Sequence, residues 1–214
     1  MTQYVSQNDT LFIFGILSQR YAILYTRGEI MGQRSEIYVA VEQQDGTKQM
    51  TARYFGWNYA ERMISRVAFT SKWLQSRQLY GFNKNDLISI IETNFDMVDH
   101  IASERIEPST TGSFKLHCSI DNGLNDGRAF IYINKDGKIK YCFTENHALK
   151  PLDCNKYMLF DTDACYPEYQ WKNKEYRNST KMKRCRNNIK WLKQNAEVMT
   201  QEELDEFLHS VYIA

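Results

Sequence analysis

The five cysteines, Cys118, Cys142, Cys154, Cys165 and Cys185, include no short-spaced pair, and an odd count in a chain of 214 residues gives no disulfide framework. Reduced thiols in a cytosolic compartment are the expectation. Long apolar runs are missing too. Leu11 to Leu17 is broken by Ser18, Gln19 and Arg20, which leaves it too short to span a bilayer. The residues before that run carry Asp9 but no lysine or arginine, and no small-residue cleavage site follows, so neither a secretory signal nor a membrane partner is expected. Net charge is nearly absent: 27 lysines and arginines against 26 acids leave +1, so any electrostatic function must come from a local patch. The familiar catalytic signatures are lacking as well. There is no Gly-x-Ser-x-Gly elbow, no glycine-rich phosphate loop and no cysteine with a local signature beside a histidine, and Gly28 and Gly32 flank Met31 without forming a nucleotide fingerprint. No enzymatic activity is expected.

What the chain does have is apolar and aromatic content, 43% and 14%, sufficient for a substantial core and against wholesale disorder. Ile37, Val39 and Val41 alternate with Tyr38 and Ala40, Asp45-Gly46 marks a tight turn, and Met50, Ala52 and Tyr54 alternate again. This pattern predicts a β-hairpin over 35–55. Asn58 followed by Glu61 has capping-box spacing, predicting a helix to about Gln75 that buries Met63, Ile64, Val67 and Leu74 with Arg62, Arg66 and Lys72 around its edges. A second helix is predicted over 84–94, with Leu87, Ile88 and Ile91 inward. Residues 96–113 have loop composition and mark a boundary.

Beyond that boundary, Phe114–Ile120, Arg128–Asn134 and Lys138–Glu145, separated by Asn-Gly and Asp-Gly steps, read as an antiparallel meander. The segment 150–176 is aromatic and poorly periodic. Met182, Cys185, Ile189, Leu192 and Ala196 then recur at helical spacing over 179–194, and Thr200 with Glu203 forms another capping box that opens a short final helix. Strands and helices are segregated, so the fold class is α+β: a hairpin packed on a helix, a meander sheet and a C-terminal helical pair. The organisation expected is an extension (1–30), a hairpin-helix half (31–95), a loop (96–113) and a second half (114–214), which can be continuous with the first.

At Gly32-Gln33-Arg34-Ser35-Glu36-Ile37-Tyr38 and at Trp57-Asn58-Tyr59-Ala60-Glu61-Arg62-Met63-Ile64-Ser65-Arg66, the chain resembles a group of small proteins carried by phages, prophages and mobile elements of Gram-positive bacteria. The resemblance covers roughly 31–75, and more loosely Met199 to Leu204. Members tend to begin at the methionine corresponding to Met31, which is why residues 1–30 read as an extension. What the resemblance implies is a genetic context in which proteins act against host defences, inhibitors of CRISPR nucleases among them. The leading expectation is therefore a non-enzymatic anti-CRISPR protein of the bacterial host cytosol, whose partner is a host defence protein, most plausibly a nuclease. The alternative is a nucleic-acid-binding accessory protein.

Charge supplies the strongest local signal. From Trp171 to Lys193 nine cations face the single acid Glu175, a balance of +8 within a chain of +1. With the Met182 to Ala196 ridge turned to the core, Lys181, Lys183, Arg184, Arg186, Lys190 and Lys193 are forced toward solvent, where they can meet phosphates or an acidic protein surface. Trp171 and Tyr169 interleave with the run as anchors or stacking platforms. A solvated helix face is the commoner fate of such a run. No cofactor is expected, because zinc sites announce themselves with ligand pairs two to four apart. The zinc alternative would have to gather Cys118, Cys142, Cys154 or Cys165 with His117 or His147. A third reading, metal-dependent hydrolysis, would use Asp96, Asp99 and His100, or Asp161, Asp163 and Glu168, but their spacing fits turn and cap roles better. Glu202, Glu203, Asp205 and Glu206 at the C-terminal end can serve a second copy's basic helix or complement their own helix end.

Overall fold

Ser35 to Val41 is a run in which every residue is buried, and it belongs to an interior strand of the main sheet. The computed structural model describes residues 34–56, 58, 60–76, 89, 91, 93, 103–106, 114–116, 127–145, 148–164, 174–209 and 211–213. Strand β1 (Arg34–Glu42) pairs antiparallel with β2 (Lys48–Gly56) on one side and parallel with β5 (Arg128–Ile133) on the other. The remaining strands are β3 (Ser103–Ile106), β4 (Phe114–Leu116), β6 (Ile139–Thr144), β7 (Ala196–Val198) and β8 (Val211–Ile213). Among the described residues, the main sheet runs β3-β2-β1-β5-β6-β7, and β4 pairs with β8 in a second, two-stranded sheet. The class is α+β.

Strand alternation sorts the core into two layers. Ile37, Val39 and Val41 of β1, Phe55 of β2, Ala129, Ile131 and Ile133 of β5, and Ile139, Tyr141 and Phe143 of β6 share one face. Over it lie α1 (Glu61–Gln75), α2 (Cys154–Ala164), α3 (Lys174–Asn178) and α4 (Thr180–Asn195), which contribute Met63, Val67, Tyr157, Tyr176, Met182 and Leu192 among others. Tyr38, Ala40, Ala52, Phe130 and Cys142 share the opposite face, under α5 (Gln201–Leu208) with its Leu204 and Phe207. There Tyr38 stacks on Phe130, and Phe130 meets Phe207 edge-on, each pair at 5.3 Å between centroids. Because helices cover both faces, β1 is buried from Ser35 to Val41 and β5 at every residue but the half-buried Tyr132.

The Asp-Gly turns close as their chemistry requires. Asp45 accepts from the Thr47 amide and hydroxyl at 2.9 and 2.7 Å, and Gly46 and Gly137 take positive φ at the two hairpin turns. Gly127 is the most constrained glycine, since at φ +72° a Cβ would lie 2.0 Å from the Thr144 carbonyl oxygen.

Four expectations are corrected by the structure. The run at Phe114 pairs in parallel with β8 rather than with β5, which reduces the expected meander to the β5–β6 hairpin; β5 already has β1 on its other edge. The 96–113 segment is not loop throughout, because Ser103–Ile106 adds an edge strand on β2. Only Ile106 of its four residues is apolar, which suits a sheet edge and conceals it from pattern reading. The 150–176 segment, aromatic and poorly periodic in sequence, contains α2, in which Cys154, Tyr157 and Met158 are buried. Asn58 does not cap α1: Ala60 occupies that position with φ 43° and no side-chain cap bond. The Asn58 side chain is instead fully buried, donating to Ser35 Oγ at 3.0 Å and accepting from Arg66 Nε at 2.9 Å. Arg66, expected at the helix edge, is therefore an interior residue, its guanidinium 5.0 Å from the centre of the Phe55 ring. Of the helix predicted over 84–94, only Ser89, Ile91 and Thr93 are described; they are helical and Ile91 is buried.

The capping box at the start of α5 is present, with Thr200 Oγ1 accepting from the Glu203 amide at 3.2 Å and Glu203 accepting from the Thr200 amide at 3.0 Å.

A candidate cationic interface on the penultimate helix

Ser179 opens α4 by accepting the Met182 amide at its hydroxyl, at 3.2 Å, and the helix then runs to Asn195. Its ridge faces inward: Met182, Cys185 and Leu192 are fully buried and Ile189 is 8% exposed. At roughly 1.5–3 kcal/mol for each apolar side chain removed from water, this ridge fixes the rotation of the helix about its axis. Polar contacts to α1 reinforce it. Asn188 donates to Ser65 Oγ at 3.3 Å and accepts from Lys72 Nζ at 2.8 Å. Burial lowers the Lys72 pKa, and its ammonium lies 5.3 Å from the centre of the Trp191 ring.

With the ridge inward, all six predicted cations of α4 are exposed: Lys181, Lys183, Arg184, Arg186, Lys190 and Lys193. Lys183, Arg186, Lys190 and Lys193 recur at spacings of three, four and three, forming one outward stripe about 15 Å long. Lys181 and Arg184 lie on the other flank, in line with Asn188 and Trp191 where α4 meets α1. Arg186 donates to the Arg177 carbonyl oxygen at 2.8 Å, tying the stripe to the end of α3. Among the described residues, no carboxylate lies within ion-pair distance of any of the six. The first turn of α4 has no acid and holds Lys181 beside the positive end of the helix dipole. Cations there cost roughly 0.3–1 kcal/mol each. Trp171 and Tyr169 lie outside the described residues.

The other candidates are distributed differently. Cys142 belongs to the α5 side of the sheet and Cys154 and Cys185 to the α4 side, so the sheet separates thiols that a zinc site would have to gather. All three are buried and free. Burial raises the Cys154 pKa to about 11 and that of Cys185 to about 12, and Cys142 is shifted upward by the same cause. Among the described residues there is no cluster of three or more histidine, cysteine or acid side chains able to hold a metal. Cys118, Cys165, His117, His147, Asp96, Asp99, His100 and Glu168 fall outside the described residues, as do the side chains of Asp161 and Asp163. Among the described residues no helix is long and apolar enough to cross a membrane.

No protein-family model, curated protein or solved structure matches the chain.

Two features escaped sequence reasoning. One is a buried ion pair: Arg128 Nε donates to Glu36 Oε2 at 2.9 Å, and the Tyr38 hydroxyl donates to the same oxygen at 3.0 Å. On α1, Glu61 accepts from the Tyr176 hydroxyl at 2.7 Å. The other is a cleft beneath α5, opposite the cationic helix. Of the C-terminal acids, Glu203 pairs with Lys140 and Glu206 with Lys48, and Asp205 accepts from Gln201, so three of the four are engaged within the chain.

Proposed function

We propose that this chain is a non-catalytic binding protein that docks the exposed cations of α4 on an acidic surface of a host defence protein, a CRISPR nuclease foremost, and blocks it by occupying that surface. The observation that carries the reading is the set of six exposed cations, held outward by a buried ridge and with no described carboxylate within ion-pair distance. A helix that places Lys181 against its own dipole is less stable than its sequence could make it, and partner recognition accounts for that cost. The choice of a defence protein rests on the resemblance at 32–38 and 57–66.

The test is phage plating on a host carrying an active CRISPR nuclease, with and without the chain. Protection by the wild type, lost on combining Lys183→Glu, Arg186→Glu, Lys190→Glu and Lys193→Glu, is the expected result. Absence of protection, or protection indifferent to the reversal, would refute the proposal.

A second reading follows from the regularity of the stripe, which suits phosphates as well as carboxylates. In that case affinity for a 20-nucleotide single strand would fall steeply with salt. Reversing any one stripe charge would then weaken binding almost uniformly across sequences.

A further inference from the structure

A cleft of about 140 Å³ opens between the α5 side of the sheet and α5 itself, on the face opposite the cationic helix. Its apolar lining is Ala40, Met50, Met199 and Phe207. The polar rim consists of Tyr132 and two sheet-to-helix ion pairs, Lys48 with Glu206 and Lys140 with Glu203. The volume matches that of a cavity of about 150 Å³ known to take up benzene, and two methionines give it a polarizable, adaptable wall suited to an aromatic ring.

The two ion pairs are not equivalent. Lys140 and Glu203 are each about 30% exposed, and Glu203 is further held by the capping box. Lys48 and Glu206 are 3.3 Å apart with Glu206 75% exposed, a solvated pair that separates at little cost. Lys48 has a second hold, because its ammonium lies 5.4 Å from the centre of the Tyr132 ring. The Tyr132 ring is in turn fixed through its hydroxyl, which donates to Glu42 at 2.9 Å. When the outer pair opens, Glu206 swings into water while Lys48 stays over the cleft. The exchangeable charge presented to a ligand is thus a cation above an apolar, ring-sized floor.

The geometry points to this cleft as a binding site for a small aromatic carboxylate, with the ring on Met50, Met199 and Phe207 and the carboxylate replacing Glu206 on Lys48. The test uses the full chain with 13C-labelled methionine methyls, titrated in turn with benzoate, benzylamine and toluene. Benzoate should shift the Met50 and Met199 methyl signals saturably and more than the other two. Lys48→Met should abolish that effect while leaving the other methionine signals in place, and Glu206→Gln, which removes the competing carboxylate, should tighten benzoate binding about two- to fivefold. The inference is overturned by a stronger response to benzylamine or toluene, by no response to any of the three, or by unchanged or weaker benzoate binding in Glu206→Gln.

Discussion

Glu36 and Arg128 are 0% and 1% exposed, and they face one another across in-register positions of parallel β1 and β5. Removing one member of such a pair strands the other's charge in the interior. Arg128→Met alone should therefore cost about 3–5 kcal/mol in urea unfolding, whereas Glu36→Gln combined with Arg128→Met should recover more than half of the loss. Equal losses in the single and double variants would show that packing, not charge, is what Arg128 supplies. The buried thiols make a second residue-scale prediction. A thiol whose pKa is raised on folding favours the native state fully below its unfolded pKa, about 8.5, and that contribution is lost as pH rises toward the native values of about 11 and 12 for Cys154 and Cys185. Unfolding free energy should fall between pH 9 and 11, and Cys142, Cys154 and Cys185 should resist thiol reagents at pH 8 until the chain unfolds. The burial of Cys185 was legible from its place in the Met182 to Ala196 ridge, whereas the ion pair was not. Glu36 and Arg128 are 92 positions apart and meet only because β1 lies beside β5, and the burial of Asn58 rather than a cap role depends on Arg66 turning inward.

At the scale of elements, periodicity located α4 and its ridge because a one-sided amphipathic helix writes its burial into a period of 3.6. The capping box of α5 was legible for a similar reason, since it is local chemistry over four residues. Edge strand β3 and helix α2 were not, because one has a single buried apolar residue and the other sits in an aromatic stretch. Of the described residues that carry the resemblance to mobile-element proteins, Ser35, Glu36, Ile37, Tyr38, Asn58, Ala60, Glu61, Met63, Ile64, Ser65 and Arg66 are buried in β1, in α1 or at its entry, and Arg62 is half-buried. They are residues of the fold's interior, whereas the cationic helix lies outside the resembling stretch. On the proposed reading, the resembling stretch supplies architecture and α4 the binding surface. The first turn of α4 tests the division of labour. Lys181→Glu should stabilise the fold by about 0.3–1 kcal/mol in thermal unfolding, by complementing the helix dipole, and should weaken partner binding. A variant that is less stable, or that binds more tightly, contradicts that account.

Over the whole molecule, a net charge of +1 hides a separation of sign across the sheet. The cationic α4 covers one face, and α5, with Glu202, Glu203, Asp205 and Glu206, covers the other. β1 unites the halves on either side of 96–113 by pairing with both β2 and β5, so the two charged helices pack on opposite faces of one sheet. On the proposed reading, α4 is the face that meets an acidic partner. The most direct measurement is the affinity of a purified CRISPR nuclease for the wild type and for the variant with Lys183, Arg186, Lys190 and Lys193 all changed to glutamate, with thermal unfolding of both as a control on the fold. The account predicts unfolding temperatures within a few degrees of each other and an affinity at least about 100-fold weaker for the variant, about 0.7 kcal/mol for each reversed charge. Equal affinities in two folded proteins would contradict it.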